Sequence, residues 1–267
     1  MAAATVGLLH PGEMGAAVGA VLRGRGDRVV WASKGRTAET RERAEEAGLE
    51  DAGSVEELVS RSDVILSVCP PHAALEVAGA VAGFRGVFVD ANAIAPGTAR
   101  EVEAVIAAGG GDCVDGGIVG APPRAAGTTR LYLSGPEAES VARLFTGSVV
   151  DARVLPGEVG TASALKMTYA AWTKTTAALL VSIRDTAAAY GVDVDLATEW
   201  AISQPHLAEA WLRAREQSHQ KGWRWSYELA EVGRTFAAVG QPEGFGVAAS
   251  EVFATSSNQD LPGGGGH

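Results

Sequence analysis

Thr5-Val6-Gly7-Leu8-Leu9-His10-Pro11-Gly12-Glu13-Met14-Gly15, running on into the apolar stretch Ala16–Leu22, decides the fold. A short β-rich run enters a turn with two glycines, and a helix-like stretch, Gly15–Arg23, leaves it. This is where a parallel α/β sheet binds a dinucleotide phosphate. The backbone at Gly12 can approach a pyrophosphate, Gly15 lets the helix pack on the strand, and the helix N-terminus attracts anions. His10, Pro11, Gly12, Glu13 and Met14 are therefore the candidate phosphate-turn residues. The fingerprint has glycine at three positions, and here the first is His10. Histidine is among the non-glycine types enriched at positive φ, so the turn is expected to survive. An ordinary β-to-α turn fits this segment equally well when it is taken alone.

Outward from this turn, β-rich runs alternate with amphipathic stretches up to about residue 150, as in βαβ units of a parallel sheet. Strands are predicted at Thr5–Leu9, Arg28–Ala32, Val64–Cys69, Gly86–Asp90, Asp112–Gly116 and Thr129–Ser134, and helices at Gly15–Arg23, Ala38–Ala47, Val55–Ser60 and Glu137–Phe145. The fold class expected is an α/β Rossmann N-terminal domain followed by an all-α C-terminal domain. After the second strand, an NAD-selective site carries Asp or Glu for the ribose 2′-hydroxyl. This chain has Ser33, Lys34, Arg36 and Thr37 there, which suit a 2′-phosphate and favour NADP(H). A solvated basic loop is the bland alternative. Cys69-Pro70-Pro71 and the Asp90–Pro96 segment with Asn92 fall at carboxyl ends of predicted strands, where such sheets bind ligands. Asn92 is expected either to reach the nicotinamide end or to serve as a turn residue before Pro96.

Beyond Pro156 the β-rich runs stop and apolar residues recur at helical spacing. The boundaries predicted are 1–155 for the nucleotide-binding domain, 156–257 for a helical substrate and dimerisation domain, and 258–267 for a disordered tail rich in glycine. Glu158–Tyr190 reads as one long helix in which Lys166 and Lys174 are the only charges between Glu158 and Arg184. Helical spacing puts Lys166, Tyr169 and Thr173 on one face and Lys174 elsewhere. A lysine on such a helix either snorkels to solvent or stands in a cleft as a proton donor.

The 267 residues, 46% of them hydrophobic, fill a sizeable core without staples. A net charge of −10 argues against nucleic acid or an anionic membrane as the main partner. Two cysteines, Cys69 and Cys113, make no disulfide framework and no zinc-type array, so no metal is assigned and a reducing, cytoplasmic setting is expected. No apolar run is long enough for a membrane span.

Four segments in order resemble the β-hydroxyacid dehydrogenase superfamily, which includes 6-phosphogluconate dehydrogenase and the imine reductases. They are His10–Gly15 (phosphate turn), Asp90–Pro96, Asp115-Gly116-Gly117-Ile118-Val119-Gly120-Ala121 (substrate loop) and Gly157–Lys166 (the approach to the catalytic lysine). The helical half resembles a branch whose C-terminal domain is short and of uncharacterised type. The resemblance implies an NADP(H)-dependent oxidoreductase with Lys166 as general acid or base, Tyr169 as its partner or an alternative donor, and Asn92 as an orienting group. It also implies Val119, Gly120, Ala121 and Thr173 against a small-molecule substrate, and a homodimer. Val119 stands where the family has a carboxylate-binding Ser, and Tyr169 where it has Asn, which argues against ordinary 3-hydroxy acids. Imine reductases typically lack the lysine kept here, so a carbonyl or alcohol is favoured. An imine reductase using Tyr169 and a non-catalytic NADP-binding regulator are the alternatives. Trp172, Trp200, His206, Trp211, His219, Trp223, Trp225 and Tyr227 read mainly as core or dimer contacts, with the lining of a substrate pocket as the alternative.

Overall fold

Thr5–Leu8 forms β1, an interior strand of an eight-stranded sheet in the computed structural model, which describes residues 4–258. The other strands are β2 (Arg28–Trp31), β3 (Glu50–Asp51), β4 (Val64–Ser67), β5 (Val87–Asp90), β6 (Asp112–Gly120), β7 (Thr129–Ser134) and β8 (Val150–Val154), in the order β3-β2-β1-β4-β5-β6-β7-β8. Side chains alternate across the sheet. Val6, Leu8, Val29 and Trp31 pack with Val18 and Leu22 on one face, while Leu9, Val30 and Ile65 pack with Leu58 and Val77 on the other. Burial on both faces explains why the central strands read as continuous apolar runs.

The helices between them are α1 (Glu13–Gly24), α2 (Ala38–Glu46), α3 (Val55–Arg61), α4 (Ala74–Ala80), α5 (Pro96–Ala108) and α6 (Ala138–Arg143). Thr37 and Ser54 cap α2 and α3 by accepting from the amides of Thr40 and Glu57, and Pro96 opens α5 at a position where no intrahelical donor is lost. The Rossmann expectation is borne out. Two strands escaped the reading, however. β3 is only two charged residues, and β8, Val-Asp-Ala-Arg-Val, buries alternate residues at a sheet edge, so neither carries an apolar run. The pairing of β6 with β7 is antiparallel, whereas a wholly parallel sheet was expected. Residues 121–128 joining them contain no crossover helix, and a parallel connection needs one. α4 and α5 were also not anticipated.

The chain divides into two compact units, one ending at Lys166 and the other beginning at Met167. The break falls inside α7 (Thr161–Ala170), later than the expected change after residue 155, because the first turn of α7 is bonded to β6 and β7. The second unit comprises the end of α7, a π-helical turn over Ala171–Thr175, α8 (Thr176–Ala189), α9 (Asp193–Ser203), α10 (Leu207–Ala237) and α11 (Gly244–Asn258). Helix is thus continuous from Thr161 to Ala189, close to the expected long helix, but the π turn shifts its phase midway. Ala177, Ala178, Ala214, Leu229, Ala249 and Phe253 form the core of this unit, with Trp225 edge-on to Phe253 at 5.2 Å. Helix α11 continues through Asn258, where the tail was expected to begin; residues 259–267 lie outside the described residues. Among the described residues no helix is long and apolar enough to cross a membrane.

Candidate active site

The phosphate turn forms without a left-handed residue. The Gly12 amide donates to the His10 carbonyl at 2.8 Å, and Gly12 enters α1 with φ −68° and ψ −176°. Among the described residues no non-glycine residue has positive φ, so His10 does not use the conformation that the sequence reading gave as the reason for tolerating it. The two glycines have different duties. A methyl at Gly15 would stand 2.4 Å from the His10 carbonyl oxygen, whereas one at Gly12 would meet nothing within 4 Å. Gly15 is required by the packing of α1 on the turn; Gly12 leaves open backbone at a helix N-terminus with no side-chain cap. Pro11 is buried, Glu13 exposed and Met14 half-buried against the core.

Two buried nitrogens beside this turn, His10 Nδ1 and Arg36 Nε, have no hydrogen-bond partner. Burial, and then the Arg36 guanidinium, depress the His10 imidazole to about 4, so it is neutral at pH 7 and can donate or accept a hydrogen bond. Unpaired buried donors are costly unless a ligand or water completes them. Together with the uncapped helix they fit a cofactor carrying phosphate. Within the loop after β2 Ser33 is buried beside Asp51, Lys34 is exposed, and Thr37 is occupied as the cap of α2. Arg43 donates to the Pro11 carbonyl at 3.4 Å and ties α2 to the turn.

At the carboxyl ends of β4 and β5, Asn92 is placed differently from the expectation that it reaches the nicotinamide. Its side chain is 2% exposed and turned inward. Nδ2 donates to Ser67 Oγ at 3.1 Å and to Asp90 Oδ2 at 2.9 Å, while Oδ1 accepts from the Cys69 amide at 2.5 Å. Asn92 therefore fixes the Cys69-Pro70-Pro71 backbone and acts through it. Burial, with a contribution from Asp90, pushes the Cys69 thiol up to about 12, which leaves no thiolate there.

β6 runs past the end of β5 as Gly116–Gly120. Two close approaches depend on its glycines. A methyl on Gly116 would lie 3.0 Å from the Asp90 carbonyl, and one on Gly117 would lie 3.0 Å from Lys166 Cβ and 2.9 Å from the Ala162 carbonyl. Lys166 is thus half-buried with its stem on β6, on the same strand-end rim of the sheet as the phosphate turn. Val119 is 3% exposed; Gly120 and Ala121 are exposed, and Gly120 has φ +118°, where a methyl would stand 1.9 Å from the Thr128 carbonyl oxygen. Lys174, by contrast, is buried in an ion pair with Glu228 and lies 5.8 Å from the Trp225 ring centroid, which makes it a structural residue of the second unit. Tyr169 and Thr173 belong to that unit too. Both are exposed, Tyr169 by 47%, and the Thr173 hydroxyl donates back to the Tyr169 carbonyl at 3.3 Å.

Sequence reading passed over the polar residues that fix this arrangement. Asp115 is fully buried and accepts from the Gly160 and Ser163 amides, each at 2.9 Å, from the Ser163 hydroxyl at 2.6 Å and from the Ser134 hydroxyl at 3.2 Å. Their signal was available: a carboxylate inside the apolar Cys113-Val114-Asp115 run must be paired if it is buried. Asp90 is its register partner on β5, and burial raises it to about 7, with the Asp115 charge adding to the effect. Among the described residues no group of His, Cys, Asp and Glu is arranged to hold a metal ion.

The fold and strand-end site define a dinucleotide-binding protein of the dehydrogenase and reductase type. Residues 4–146 match the NAD-binding domain of 6-phosphogluconate dehydrogenase, and the chain belongs to that family. Residues 187–256 match DUF1932, a domain of unknown function. An uncharacterized 28.5 kDa protein of Methanothermus fervidus is 30% identical over 151 residues, a match that takes in 56% of this chain and 58% of that one. Among solved structures, a conserved protein of unknown function, described as similar to 3-hydroxyacid dehydrogenases, shares 29% identity with a TM-score of 0.70, covering 95% of this chain and 97% of that one. Mycobacterium tuberculosis 3-hydroxyisobutyrate dehydrogenase (20% identity, TM-score 0.69, 96% and 94% covered) and a Streptomyces aurantiacus imine reductase (20%, 0.53, 96% and 95%) share the fold.

Proposed function

We propose that the chain is an NADP(H)-dependent oxidoreductase acting on a small carbonyl or alcohol, with Lys166 as general acid and base. The observation that carries this is Lys166 packed on Gly117, on the same rim of the sheet as the phosphate turn. His10, Gly12 and Arg36 hold the cofactor phosphates, with Arg36 on the 2′-phosphate and Lys34 beside it. Bound nicotinamide supplies or accepts the hydride. The Lys166 ammonium gives a proton to the carbonyl oxygen in reduction and takes it back in oxidation. Backbone at Gly120 and Ala121 meets the substrate, whose anionic group, if present, finds amides rather than a serine hydroxyl there. Tyr169, three positions along α7, is the alternative donor. Asn92 positions the Cys69–Pro71 backbone.

A homodimer built on the second unit fits this reading. Trp172, Tyr190, Val194 and Ile202 are between 71% and 81% exposed, and α9 has no buried residue, so large apolar side chains of this unit stand open to a partner.

The test follows NADPH absorbance against short keto acids, aldehydes and cyclic imines, with NADH and Lys166→Ala as comparisons. Carbonyl turnover that prefers NADPH and falls on the order of 10²–10⁴-fold in the variant supports the reading. Turnover of imines alone, indifferent to Lys166, moves the chemistry to Tyr169. Tight NADPH binding with no turnover favours a regulator.

A further inference from the structure

We infer that Asp115 is the positioning residue of the site, fixing through the first turn of α7 where the Lys166 ammonium stands. This rests on the reading of Lys166 given above.

A helix start has amides with no partner within the helix, and α7 has two of them, Gly160 and Ser163, satisfied by one carboxylate oxygen of Asp115. The other oxygen takes the Ser163 hydroxyl at 2.6 Å. Ser134 completes the clamp from β7: its hydroxyl donates to Asp115 at 3.2 Å and accepts the Ala162 amide at 3.0 Å. Asp115, Ser134 and Ser163 are each 0% exposed, so no water competes for these bonds. A carboxylate receiving several amides and a hydroxyl holds them more strongly than a neutral acceptor does.

The geometry carries this hold to Lys166. Asp115 and Gly117 are two residues apart and point to the same face of β6. Ser163 and Lys166 are three residues apart and share a face of α7. The Asp115–Ser163 bond and the Gly117–Lys166 contact are therefore two successive fastenings of one helix on one strand. A methyl fits neither between Gly117 and Ala162 nor between Gly117 and Lys166, so the helix rests directly on strand backbone. Loosening the first fastening lets the helix slide or tilt over the second. A displacement of about 1 Å in a catalytic group lowers turnover on the order of 10²-fold.

Two variants test this, Asp115→Asn and the milder Ser163→Ala, which removes one hydroxyl and leaves the amides. The chain has four lysines, Lys34, Lys166, Lys174 and Lys221, so reductive methylation with carbon-13 gives few lysine signals, and Lys166→Arg assigns the one needed. In cofactor-free protein, the Lys166 signal and its titration midpoint are expected to move in both variants while the Lys34 signal stays. With the carbonyl substrate found in the panel, kcat is expected to fall about tenfold or more with KM and NADPH affinity unchanged. If Asp115→Asn does not fold, Ser163→Ala decides alone. A Lys166 signal unmoved in folded variants that merely melt earlier would overturn the assignment and leave Asp115 a stability residue. Failure of the reading of Lys166 as general acid and base looks different: Lys166→Ala would keep full activity, whatever the lysine signals do.

Discussion

Gly12 and Gly15 lie three residues apart in the phosphate turn, and the structure predicts opposite consequences for the same substitution. In Gly15→Ala the new methyl begins 2.4 Å from the His10 carbonyl oxygen, about 1 Å short of an ordinary contact between carbon and oxygen. Backbone cannot rotate away as a side chain can, so α1 or the turn must shift. Overpacking of this kind costs about 1–3 kcal/mol, and about 2 kcal/mol corresponds to a fall of roughly 4–8 °C in melting temperature for a chain of this size. In Gly12→Ala nothing lies within 4 Å and φ is −68°, so only the cap preference is lost, under about 1 kcal/mol. That methyl, however, occupies the space where a pyrophosphate would approach, and NADPH affinity is expected to fall about tenfold or more, about 1.4 kcal/mol. Thermal melting and fluorescence titration with NADPH measure both quantities on both variants. Gly12→Ala that binds NADPH like the wild type, or Gly15→Ala that melts within a degree of it, would refute the division of labour.

Other outcomes follow from the same rim. Arg36→Ala should weaken NADPH binding by about 10–100-fold and leave NADH nearly unchanged, since a charge-assisted contact to the 2′-phosphate is worth about 1.5–3 kcal/mol; equal losses for both cofactors in the titration would exclude that contact. His10, lowered to about 4 when folded, binds fewer protons natively than unfolded between about pH 6.5 and 4, so stability contributed there is lost as pH falls. Replacing it with Gln should flatten that acid loss, read as urea midpoints from pH 7 to 4. Asp90, raised to about 7, has the opposite sign: the folded state holds its proton from about pH 4 to 7, so it destabilises as pH rises through that window. Asp90→Asn should therefore gain on the wild type by on the order of 4 kcal/mol between pH 4 and 8, and a difference that does not vary with pH would show Asp90 to be ionised throughout.

The N-terminal fold was legible because period-two apolar runs and a glycine turn are local signals. The apolar runs mark β1, β2, β4, β5 and β7 to within two residues, and the glycine turn marks the start of α1. The charges of Ser33–Thr37 were likewise readable as a loop without an acid. Lys166 stood out as one of two charges in an apolar helix, and here the sequence reached its limit. Both lysines were visible and helical spacing put them on different faces, but packing shows where each lies: Lys174 is buried against Glu228 and Trp225 from α10, and Lys166 rests on the bare backbone of Gly117. Asn92 shows the same boundary: its residue type fitted a ligand contact, and its three inward hydrogen bonds come from residues up to 25 positions away. The antiparallel turn of β7 and the clamp of Asp115 on Ser134 and Ser163 depend on segments far apart in the chain. Local sequence determines which elements form and which chemistry they carry. Which polar side chain is drawn inward and which stays at the strand ends is settled by non-local pairing of buried groups, and only the tertiary structure decides that.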